Sequence, residues 1–163
     1  MIDQNFWRTE IWHPLSVHFP VAILLLATIV KVVAILLREQ QQGFWQRAGA
    51  YLLYIGFLAA WVSVYTGSLA EGIVARKLCD PTILKDHEIA AFNLAYIFTG
   101  ATALELALRF ELIKFKTGLL QLIVVLLMLA GSGFLVYVGH TGATVVYQQA
   151  GGVNIPAADC AGF

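Results

Sequence analysis

Four stretches of the 163-residue chain are almost purely apolar, Val17–Leu37, Ala48–Leu69, Ile89–Leu108 and Leu119–Val138, and the polar residues collect in the connections between them. Lys31 is the one charged residue in the first stretch and Glu105 the one in the third. Each run is about 20 residues, enough at about 1.5 Å per residue to cross a hydrocarbon core of roughly 30 Å. Backbone groups cannot stay unpaired in lipid, and the short alternating segments of a membrane barrel are absent, so the runs predict helices. The connections Arg38 to Arg47 and Phe110 to Gly118 are short, which makes consecutive helices antiparallel neighbours. The expected fold is all-α, an integral membrane up-down-up-down four-helix bundle forming one domain over residues 1–163. The longer connection Glu71 to Glu88 and the Gly- and Ala-rich tail from Gln148 then lie on the side of the N-terminus.

Composition agrees with the pattern. With 60% hydrophobic residues, 12% charged residues and a mean hydropathy of +0.77, the chain is too apolar for a soluble domain of this size. Ten basic residues balance ten acidic ones, which argues against a nucleic-acid partner and leaves the lipid bilayer as the expected surroundings. The segment Met1 to Trp12 has no basic n-region and no small-residue cleavage site follows the first run, so that run is expected to remain as an anchor.

Orientation follows from the basic residues. Arg38, Arg47, Arg109, Lys114 and Lys116 flank the first and third connections, with Lys31 expected to snorkel toward them, against Arg8, Arg76, Lys77 and Lys85 on the other side. The bias places both termini in the periplasm of a bacterial inner membrane. Cys79 and Cys160, the two cysteines of the chain, both fall on that outer side, where an oxidising compartment favours a disulfide between tail and loop; two unpaired thiols are the alternative.

The candidate chemistry lies in four histidines at span ends. His13 and His18 sit in His13-Pro14-Leu15-Ser16-Val17-His18-Phe19-Pro20, His87 opens the third span, and His140 closes the fourth in Gly139-His140-Thr141-Gly142. Polar groups at this depth are costly unless used, and the up-down path brings all four to the outer face. Pro14 suits the first turn of a helix, which puts His13 at or just before its start and makes it the member nearest to lying outside the bundle. Neutral imidazole ligates haem iron and many transition metals. A b-type haem needs two histidines on facing helices, with His18, His87 and His140 as the main pool and Arg76, Lys77 and Lys85 as propionate contacts. A copper, zinc or iron ion would need three or four converging ligands, and interfacial histidines bonded to carbonyls or water need none. Glycines of the second and fourth spans permit close helix approach, which is the preferred reading for Gly49 and Gly56. A proton path through Glu105 is a further option.

The segment His13 to Pro20, Thr66-Gly67, the histidine of the third span, and Gly139 to Gly142 followed by Val145-Val146-Tyr147 resemble a bacterial membrane family catalogued as domain of unknown function 2231. The resemblance covers nearly the whole chain and marks His13, His18, His87 and His140. Its members can be joined to c-type cytochrome domains, which implies redox partners at the outer face. The resulting expectation is an electron-transfer protein or respiratory-complex subunit binding haem b, rather than a stand-alone enzyme. The alternatives are a non-haem metal-binding membrane protein and a structural subunit without cofactor.

Overall fold

The computed structural model describes residues 8–37, 39–113, 117–149 and 151–152, with residues 39 and 40 described by their helical backbone alone. Five α-helices carry the described chain: α1 (Thr9–Ser16), α2 (His18–Leu36), α3 (Glu39–Val74), α4 (Pro81–Arg109) and α5 (Thr117–Ala143). Together they make four helices long and apolar enough to cross a membrane, α1 and α2 forming the first. The helices overrun the apolar runs at most ends, because hydropathy marks only the part in lipid while backbone hydrogen bonding continues into the polar flanks.

The interruption between α1 and α2 has a local cause. Pro20 has no N–H for the Ser16 carbonyl, and its ring crowds that carbonyl, so the regular ladder breaks one turn earlier, at Val17. Val17 keeps helical angles (φ −63°, ψ −24°), and its N–H reaches the His13 carbonyl at 3.1 Å, so the span continues through the break. The helix starts at Thr9, not at Pro14. His13 is therefore carried on an established turn that packs against α3, correcting the expectation that it sits at or before the helix start.

Asp80 caps α4 by accepting the Thr82 N–H at 2.9 Å, and Pro81 takes the first helical position, where a missing N–H costs nothing. After α5 the chain widens into a π-helical turn, Thr144–Gln148. The side-chain carbonyl of the next residue, Gln149, accepts the Asp80 N–H at 2.9 Å, which ties the end of the fourth span to the start of the third.

Around the bundle the order is α2, α3, α4, α5, each packed on its neighbours, with α2 and α4 on a diagonal. Leu24, Ala27, Leu53, Leu94, Phe98, Val124 and Met128 form the centre of the core. Close approach at Gly56 follows from its bare Cα: a Cβ there would lie 2.5 Å from Leu24 Cδ2. This bears out plain packing as its role.

The expectation that Lys31 snorkels is corrected. Its side chain is fully buried, and Nζ lies 2.7 Å from Glu105 Oε1 across the diagonal, with Gln46 Oε1 at 3.0 Å and Gln121 Oε1 at 3.3 Å. The stem is drawn inward over Gly49, where a Cβ would come within 2.8 Å of Lys31 Cγ. Removing a β-carbon from α3 thus opens the channel through which the ammonium reaches the carboxylate.

Candidate functional site

At the other end of the same diagonal, His13 of α1 faces His87 of α4, with ring centroids 6.1 Å apart and planes at 71°. His13 Nδ1 lies 2.9 Å from the Ser63 carbonyl oxygen. A carbonyl only accepts, so Nδ1 carries the proton and Nε2 of the neutral ring keeps its lone pair. His87 Nδ1 lies 3.0 Å from Thr141 Oγ1, whose single proton goes to the Val138 carbonyl at 3.0 Å. His87 Nδ1 is therefore also the donor, which leaves the lone pair of the neutral ring on Nε2. Both rings thus have Nδ1 anchored, as in a metal-ligating imidazole supported by an outer hydrogen bond.

Two glycines make room for the rings. A Cβ at Gly67 would lie 3.1 Å from His13 Cε1 and Nδ1, and one at Gly142 would lie 3.1 Å from His87 Cε1. One turn further along, Ala70 and Ala90 are buried. Hydroxyls complete the His13 side: Ser16 Oγ donates to the His13 carbonyl at 3.0 Å and lies 2.9 Å from Thr66 Oγ1, which donates to the Ser63 carbonyl at 3.0 Å. Thr66 and Ser63 are buried, so this cluster holds α1 to α3 by polar contacts inside the bundle.

His18 and His140 do not join the pair. Both are exposed on the outer surface of their helices, at the histidine end of the bundle. Five residues turn a helix through about 500°, which sends His18 away from the direction of His13. Of the expected propionate contacts, Lys85 pairs with Glu88, Lys77 lies 3.7 Å from Glu10, and Arg76 Nε donates to the Gly72 carbonyl at 2.7 Å. Beside them, the hydroxyl and N–H of Thr82 hold the Asp80 carboxyl below the usual carboxylate range. Cys79 is disulfide-bonded, and Cys160, its expected partner, lies outside the described residues. Among the described residues no three His, Cys, Asp or Glu side chains converge as a metal site.

Ser63, Thr66, Thr141, Gly67 and Gly142 are the supporting residues that histidine spacing alone does not reveal. Their signal in the sequence is a small hydroxyl residue beside glycine at a span end, in Thr66-Gly67 and Thr141-Gly142. The chain matches, over residues 11–154, the family described as predicted membrane protein, domain of unknown function 2231. It belongs to that family. The matched region contains all four histidines and every residue that supports the His13–His87 pair. No curated protein and no solved structure matches the chain.

Proposed function

We propose that this member of the domain of unknown function 2231 family is an electron-transfer protein of the bacterial inner membrane that holds a b-type haem between His13 and His87. The observation that carries the reading is the facing pair with both Nδ1 atoms anchored. The rings lie 6.1 Å apart, centroid to centroid, so His13 and His87 would be the residues that hold the group. Two histidines would suffice for a haem, whereas a bound zinc or copper ion takes three or four protein ligands. Gly67 and Gly142 let the flanking backbones close on the two rings, which holds both imidazoles in place.

A haem would supply a one-electron carrier. The chain's own part is to fix ring tautomer and direction through Ser63 and Thr141, and to exclude water with the apolar end of the bundle. Orientation belongs to the same proposal. With Lys31 buried, the basic bias rests on Arg38, Arg47, Arg109, Lys114 and Lys116 against Arg8, Arg76, Lys77 and Lys85, which favours a periplasmic histidine end. A c-type cytochrome or a larger respiratory complex at that face is the corresponding partner, with Arg76 and Lys77 at the site's rim.

The test is the reduced-minus-oxidised visible spectrum of protein purified from haem-replete cells. His13→Ala and His87→Ala should each abolish or strongly alter the haem bands, and His18→Ala and His140→Ala should leave them. Absence of haem bands in the wild-type protein overturns the reading. Metal analysis of the same sample then separates a copper, zinc or iron protein from a structural subunit.

A further inference from the structure

The end of the bundle away from the histidines holds a second polar centre. His13 and Lys31 are 18 positions apart on one span, about 27 Å at 1.5 Å per residue, so the two centres sit near opposite faces of the bilayer. A cavity of about 200 Å³ opens there, bordered by Gln46, Tyr54, Glu105 and Gln121, with Arg47 and Arg109 at its exposed mouth. Glu105 is 5% exposed. Its Oε1 meets Lys31, but its Oε2 has no hydrogen-bond partner, and neither do the buried Tyr54 Oη and Thr102 Oγ1.

Buried oxygens without partners indicate water or an ion that satisfies them. A single water needs only about 10–15 Å³ of cavity and two or more polar neighbours, so this space has room for several. A metal cation is disfavoured, because the Lys31 ammonium already occupies Glu105 Oε1 and two arginines guard the entrance. Charged and titratable groups face the carboxylate from three helices: Lys31 on α2, Arg47 with Tyr51 and Tyr54 on α3, and Arg109 on α4. The neutral Gln121 and Thr117 come from α5.

We propose that Lys31 and Glu105 form a proton-exchange site fed by water from the face bearing Arg47 and Arg109. In the loading step a hydronium ion in the cavity gives its proton to Glu105 Oε2; one O–H bond breaks, one forms, and a water remains. Release reverses the step, and no electron moves. The site is independent of the histidine reading and of any cofactor there.

Infrared difference spectroscopy of the full chain in membranes, acid minus alkaline, tests it. A carboxylic-acid carbonyl band should grow as pH falls, shift in D₂O, and disappear in Glu105→Gln. The double variant Lys31→Met with Glu105→Gln stays close to both shapes without charge, so it supplies the missing-band control if the single variant does not fold. A band unchanged in the folded double variant, or insensitive to D₂O, overturns the proposal.

Discussion

Lys31 Nζ and Glu105 Oε1, 2.7 Å apart, join the same two spans across the same diagonal as His13 and His87, but at the other end. The spans touch at their extremities through long polar side chains, while the apolar middle of the diagonal is filled by Leu24, Phe98 and their neighbours. Lipid tails are as apolar as leucine, so burial of leucine gives little preference for one helix rotation over another. The polar pairs supply that preference. Only one rotation and one register of the first span against the third satisfies both.

The ion pair should behave as a coupled unit. Lys31→Met or Glu105→Leu alone strands a buried charge and should lower stability by about 3–5 kcal/mol, whereas the double variant should lie much closer to wild type. Chemical unfolding of the three variants in detergent gives the coupling, and strictly additive losses would show that the charges do not depend on each other.

Gly56→Ala should lower stability by about 1–3 kcal/mol, because the new methyl group would sit 2.5 Å from Leu24 Cδ2 in a filled core. Gly133→Ala meets nothing within 4 Å and should change stability by no more than about 0.5 kcal/mol. Thermal or denaturant unfolding of the two variants side by side measures the contrast.

Thr141→Val removes the acceptor of the His87 Nδ1–H while keeping the shape of the side chain. The lost support should be of the order of one hydrogen bond, about 0.5–1.5 kcal/mol, so the pair should survive with a His87 ring free to turn. In the haem reading the bands should remain and the midpoint potential should shift; Thr141→Ser, which restores the acceptor, should return it. A potential that stays at the wild-type value in Thr141→Val would show that Thr141 does not orient the ring.

Single cysteines introduced at Gln41 and Thr117, in a background lacking Cys79 and Cys160, should resist an impermeant reagent added outside the cell. Labelling of both would place the histidine end in the cytoplasm. Mass spectrometry of the non-reduced protein should recover Cys79 linked to Cys160; a Cys79 peptide carrying any other adduct would break that pairing.

Much of the fold was legible in the chain, because the cost of unpaired backbone in lipid turns hydropathy almost directly into helices, and short connections order them. Side-chain direction was not. Pro14 marks a helix start by its chemistry, which sets His13 at the edge of the bundle; the helix instead begins at Thr9 and carries Pro14 inside it, without the bond to the Glu10 carbonyl. Lys31 pointed toward the interface on grounds of solvation, yet the deciding residue was Gly49 on the next helix, far away in sequence. In both cases the determinant was a glycine or hydroxyl on a facing span, and one-dimensional periodicity carries no information about which helix faces which.

The break at Val17 divides mechanical roles along the first span. His13 rides on the eight-residue α1, beyond a joint, while Lys31 is built into the continuous α2. His13 is fixed to α3 through the Ser63 carbonyl, so its position is set separately from that of the ammonium, while His87 rides on the unbroken α4. The two ends of the first span are thus anchored independently of each other.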